Sequence, residues 1–109
     1  MQLATSVSVE EARRYIGGEI VLENNNSGAT LTRGTLHTIR MDDQWAQITM
    51  TCDGIATGTL ENIERAKWQN RVGNVAPVIL RSTARIDDQG RLVFDDRSPQ
   101  GSIAIIKRP

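Results

Sequence analysis

Nucleophilic chemistry in this chain would have to start from His37 and Cys52, its single histidine and single cysteine. A Cys–His dyad needs the two side chains within hydrogen-bond reach, so that the imidazole can draw off the thiol proton. The run Ala46, Ile48, Met50, Cys52 places the cysteine on the apolar phase of an alternating strand, facing a core. Cys52 is therefore expected to be a small buried hydrophobe, and His37 a residue on a strand surface. A lone cysteine also excludes an internal disulfide and a thiolate zinc site.

Three acidic pairs, Asp42-Asp43, Asp87-Asp88 and Asp95-Asp96, could offer oxygens to a hard cation. Calcium takes about six to eight oxygen ligands on an ordered loop, and no EF-hand spacing occurs. Aspartate also belongs in turns, where its carboxylate accepts hydrogen bonds from nearby backbone N–H groups. That structural role is the one expected here. Walker loops, dinucleotide fingerprints and metal-binding histidine pairs are absent from the sequence. No catalytic residue, metal or cofactor is expected, nor any small-molecule substrate.

The remaining constellation is basic. Arg65, Lys67, Trp68 and Arg71 combine three cations with an aromatic ring, the minimum needed to hold phosphates and stack a base. The competing reading makes Trp68 a core residue. Charge favours neither, because thirteen Lys and Arg balance thirteen Asp and Glu. Neutrality excludes a binder that relies on a strong positive field over a nucleic acid or a membrane surface. The charge is nonetheless uneven: Glu61–Arg85 carries five basic and two acidic residues, and Asp87–Asp96 carries four acidic and one basic. Opposite patches of this kind could meet between copies in a head-to-tail ring, or neutralise each other within one domain.

The elements that must position these groups are mostly strands. Ten threonines with many Val and Ile favour a pleated, half-buried surface, and four aromatics leave an aliphatic core. Ser8–Ile16 reads as a short helix, with Ser8 and Glu11 as a capping box and Val9, Ala12 and Ile16 as its apolar stripe. Gly17-Gly18 ends it. Strands follow at Glu19–Glu23 and Thr30–Met41; the second changes phase between Leu36 and Ile39, which calls for a bend or bulge, assigned to Gly34. Ala46–Cys52 alternates cleanly, and Asp53-Gly54 signals a hairpin turn. Residues 57–73 are open between strand, helix and loop, with strand or irregular hairpin preferred. Further strands are expected at Val78–Ile86, Leu92–Phe94 and Ile103–Ile106. Five to seven closely spaced strands after one helix suggest a mainly β, small closed barrel filling a single domain over residues 1–109.

Residues Arg14–Glu23 (RYIGGEIVLE) and Arg33–Ile39 (RGTLHTI) resemble the helix-to-strand junction and the bent second strand of the Sm-like family. The resemblance spans about residues 8 to 51 and implies an SH3-like or Sm-like β-barrel that assembles into rings and binds single-stranded RNA. In that family an Asp, an apolar residue and an Asn meet the bases after the bent strand; here Arg40, Asp43 and Gln44 stand at those places. The implied function is a non-catalytic oligomeric module with weak single-stranded RNA binding through Arg40, Gln44, Arg65, Lys67, Trp68 and Arg71. The alternative is a structural or protein-interaction module without nucleic-acid affinity. Edges for self-association are expected at Val78–Ile86 and Ile103–Ile106. The start Met1–Ser6 lacks a basic and apolar leader, and no apolar run nears the ~18 residues of a membrane helix, so a cytoplasmic chain without membrane contact is expected.

Overall fold

Ser8 caps the only helix among the described residues, which in this computed structural model are 7–42, 44–55, 70–99 and 101–109. Its hydroxyl accepts the Glu11 N–H at 3.1 Å, and α1 (Val9–Arg13) is a single helical segment of 5 residues. A helix that short cannot carry an apolar stripe over several turns. Ala12 and Tyr15 are buried, whereas Val9 and Ile16, expected to face the core, are 39% and 38% exposed. The chain leaves α1 through Gly17, whose φ of +93° is open to glycine at no steric penalty. Gly17 N–H then donates to the Leu36 carbonyl and Leu36 N–H to the Gly18 carbonyl, tying the junction to the sheet.

Seven strands follow: β1 (Glu19–Asn24), β2 (Thr30–Met41), β3 (Ala46–Ile55), β4 (Val75–Leu80), β5 (Ala84–Ile86), β6 (Leu92–Asp95) and β7 (Ser102–Ile106). They form one antiparallel sheet in the order β4-β3-β2-β1-β7-β6-β5. The protein is thus mainly β. One face is apolar: Ile20, Leu22, Ile48, Met50, Cys52, Leu80, Leu92, Phe94, Ala104 and Ile106 are all 0% exposed. One turn of helix cannot cover a seven-stranded face, so the inner faces of the strands pack on one another. The phase change in β2 is present, with Leu36 and Ile39 buried and His37 and Thr38 exposed between them. The extra residue is His37, not Gly34 as expected: Leu36 opposes Met50 and Thr38 opposes Thr49, whereas the register shift at Arg33 and Gly34 leaves out Asp53 of β3 and keeps Thr32, Gly34 and Leu36 in one buried phase.

Three further sequence expectations are overturned. Asp53-Gly54 makes no hairpin turn: β3 runs on through Ile55, with Gly54 opposite Arg33. The long β2 supplies a partner for those residues, and pairing outweighs the local turn preference. Val78–Ile86 is two strands, not one. The break at Arg81 is made by Asp96, whose Oδ2 accepts the Arg81 N–H at 2.8 Å, and by Ser82, whose Oγ accepts the Asp95 N–H at 3.0 Å. Finally, Ile103–Ile106 is no edge, because β7 pairs with both β1 and β6. The pairing occupies both of its edges, while Ala104 and Ile106 are buried on one face and Ile103 and Ile105 half-buried on the other. Among the described residues the edges are β4 and β5, consecutive in the chain.

Candidate functional site

The turn between β2 and β3 is built by a backbone bond from the Asp42 N–H to the Trp45 carbonyl at 2.9 Å. Arg40 opposes Gln47 one step before it, and Arg40, Gln44 and Trp45 are all exposed. Trp45 is 38% exposed, a large ring left open beside a cation and an amide. It is not among the residues that the sequence pattern singles out. The signal available was its place, next to a turn and one residue before the buried phase of β3.

Of the rest of the basic cluster only Arg71 is among the described residues. Arg65, Lys67 and Trp68 lie outside the described residues. Arg71 is half-buried in a turn leading to β4, where its guanidinium lowers the pKa of Cys52. Residues 70–73 are neither helix nor strand apart from one bridge between Val72 and Cys52. Cys52 is six residues along β3 from Ala46, about 20 Å at the usual strand rise. Arg71 and the Arg40–Gln44 turn therefore stand at opposite ends of β3, and one chain cannot present them as a single site.

The groups weighed for catalysis are also apart. Cys52 is fully buried, and burial pushes its thiol pKa up, against smaller lowering effects from a Thr32 hydrogen bond and the Arg71 charge. It opposes Gly34, while His37 is exposed three residues further along β2. Asp87 and Asp96 serve turns, whereas Asp43 lies outside the described residues. Asp87 Oδ1 accepts the N–H groups of Gln89 and Arg91 at 2.9 and 2.8 Å, and its Oδ2 meets Arg91 Nε at 2.7 Å. Asp95 pairs with Arg97 at 2.7 Å. Two of the four acidic residues of Asp87–Asp96 are thus paired with arginines within the domain.

The edge strand β4 has the most exposed apolar side chains of the described residues: Ile79 at 64% and Val75 at 54%. Cys52 N–H donates to the Asn74 carbonyl at 3.1 Å. Continued by the two-residue alternation of an antiparallel ladder, this turns the backbone groups of Ala76, Val78 and Leu80 toward β3. Those of Val75, Pro77 and Ile79 point to the open side. Pro77 has no N–H, so its place at the free edge leaves no ladder bond unmade. No helix among the described residues is long and apolar enough to cross a membrane. Neither a known protein family, nor a curated protein, nor a solved structure matches this chain.

Proposed function

We propose that this protein is a non-catalytic, self-associating β module of Sm-like kind, in which the sheet curls into a small barrel and β4 joins copies edge to edge. The observation that carries the reading is β4, an edge strand among the described residues, with Val75 and Ile79 exposed beside it. Unpaired backbone groups flanked by apolar side chains are what monomeric proteins avoid and assemblies use. The other free edge, β5, is only 3 residues long and directly follows β4 in the chain. Head-to-tail pairing of β4 with the β5 of a second copy would use both edges and close a ring. The two edges are joined within each chain by only Arg81–Thr83, which supports the barrel.

Light scattering after size exclusion tests it. An integral multiple of the 12.1 kDa chain mass is expected at micromolar concentration, falling to the monomer in Val75→Lys/Ile79→Lys. Both side chains are exposed, so the variant should melt within about 0.5 kcal/mol of the parent, as surface substitutions do. A monomeric parent protein would overturn the reading.

A second reading, weak single-stranded RNA binding at the β2–β3 turn, is favoured by the open Trp45 ring beside Arg40 and Gln44. Trp45→Ala is expected to weaken binding at every salt concentration, by about 1–3 kcal/mol if a base stacks there. Arg40→Gln should reduce the log–log salt slope by about 0.7, one phosphate contact on a single strand. Fluorescence anisotropy with a labelled oligoribonucleotide measures both. Absence of binding by the parent protein at low salt would leave the interaction module without RNA.

A further inference from the structure

We infer that the Arg81–Thr83 corner is a latched hinge through which two copies of this chain exchange β5–β7. This concerns what the corner holds together, and it stands independently of what the β4 edge pairs with.

The sheet consists of two meanders in chain order. Strands β1 to β4 pair in succession, and so do β5 to β7. The two sets meet in one ladder, β1 with β7, from Ile20 opposite Ile106 to Asn24 opposite Ser102. Between Leu80 of β4 and Ala84 of β5 the chain has only Arg81–Thr83 in which to turn. The β5–β6 turn is closed by backbone bonds, from the Asp87 N–H to the Arg91 carbonyl at 2.9 Å and from the Gly90 N–H to the Asp87 carbonyl at 3.0 Å. No such bond closes the corner among the described residues. Side chains hold it instead. Asp96 Oδ2 accepts the Arg81 N–H at 2.8 Å, and Ser82 Oγ accepts the Asp95 N–H at 3.0 Å while donating to the Thr83 carbonyl at 2.8 Å.

Ladder geometry lets this corner open without loss of pairing in either meander. The even-numbered residues of β4 turn their backbone groups toward β3. In β5 the bond from Asp87 to Arg91 sets the alternation, so Arg85, an odd-numbered residue, turns its groups toward β6. Even and odd residues of a straight strand point to opposite edges, so β3 can keep one edge and β6 the other. The side-chain phase Val78, Leu80, Ser82, Ala84 and Ile86 runs through the corner unbroken, as one straight strand requires. Opening carries β5–β7 away from its own β1. A second copy opened in the same way offers an identical β1, and each chain completes the sheet of the other. The exchanged pair recovers the β1–β7 ladder and the core, and it gives up the corner bonds. Short connections of this kind invite such exchange.

A disulfide across the β1–β7 ladder reports it. Val21 and Ile105 oppose each other and are half-buried. Opposed Cα atoms of such a pair lie about 5.5 Å apart, inside the ~4.4–6.8 Å that a disulfide spans. Cys52 is fully buried and does not compete. In Val21→Cys/Ile105→Cys, refolded and then oxidised, the bond lies within one chain when closed and joins two chains when exchanged. A non-reducing denaturing gel separates the two. Association through the β4 edge leaves the bond within each chain, so failure of that reading does not touch this test. Deleting Ser82 and Thr83 from the two-cysteine protein keeps the strand phase and removes the room to turn, and that variant should run almost wholly as linked dimers. Ser82→Ala should raise the linked-dimer fraction at equal concentration by about fivefold or more, the worth of one hydrogen bond. Inserting Gly-Gly-Ser after Ser82 should abolish it. Linked monomers from a folded deletion variant would overturn the inference. Should the deletion prevent folding, an unchanged dimer fraction in Ser82→Ala would overturn it.

Discussion

Gly34→Val is expected to leave the chain without a cooperative melting transition. A Cβ placed on Gly34 would fall inside the carbonyl group of Thr51 on the neighbouring strand, and it would press on the Met50 methyl at 3.2 Å. The carbonyl is backbone in the middle of the sheet, so it cannot give way without breaking the β2–β3 ladder where it shifts register. Overpacking of side chains typically costs about 1–3 kcal/mol, and a clash with backbone exceeds that. A loss of about 3–5 kcal/mol would take much of the ~5–15 kcal/mol that stabilises a domain. Gly34 is not among the glycines with positive φ, so strain at a special backbone angle is not the cause. Gly34→Ala carries the same Cβ and should be nearly as damaging. Circular dichroism melting checks both, and an unchanged midpoint for Gly34→Ala would show that the strands are further apart than described.

Asp96→Ala should be comparably severe, by about 3–5 kcal/mol, since two hydrogen bonds to a charged acceptor are lost at about 1.5–3 each. Asp96 is 2% exposed; its Oδ2 accepts the Arg81 N–H at 2.8 Å and its Oδ1 the Ser98 N–H at 2.9 Å. Its backbone carbonyl accepts from Asn25 Nδ2, which also reaches the Ser98 carbonyl at 2.9 Å, so the β1–β2 and β6–β7 loops meet at this one residue. Gly101 leaves the room, as a Cβ there would approach the Asp96 carboxyl carbon to 2.6 Å. Burial pushes the Asp96 pKa up, but the hydrogen bonds from Arg81 and Ser98 outweigh it, and the carboxyl sits below its ordinary 3.8. The folded state therefore binds its proton less readily than the unfolded chain. The stabilisation is complete above the ordinary value and is lost as pH falls through the lowered one. Denaturant midpoints should decline below about pH 4 in the parent protein and decline less in Asp96→Ala. Asp87, lowered chiefly by the backbone N–H of Arg91, contributes the same sign and keeps the variant's slope from vanishing. An equal acid slope in both proteins would show that Asp96 is not responsible.

Much of the fold is legible in local pattern. The Ser8–Glu11 cap, the alternation Ala46, Ile48, Met50, Cys52 and the phase change in β2 each follow from a period or a capping residue. Candidate sites were less legible. Arg40 and Gln44 enter through the Sm-like resemblance and Arg71 through the basic cluster, and the length of β3 separates Arg71 from the other two. Trp45 is not singled out by the pattern, because exposure of a ring depends on what packs beside it.

By itself the sequence determined where most of the strands lie, which phase of β3 is apolar, and that Asp87 holds its turn. These depend on periodicity and on hydrogen bonds within a few residues. Tertiary structure alone decided which strands are edges, that Asp53-Gly54 continues a strand, and where Val78–Ile86 breaks. Each of those outcomes is set by a distant partner: β1 and β6 cover β7, β2 extends past Arg33, and Asp96 takes the N–H of Arg81. A residue's own preference is worth about 1 kcal/mol or less, and an available ladder or a buried carboxylate acceptor outweighs it.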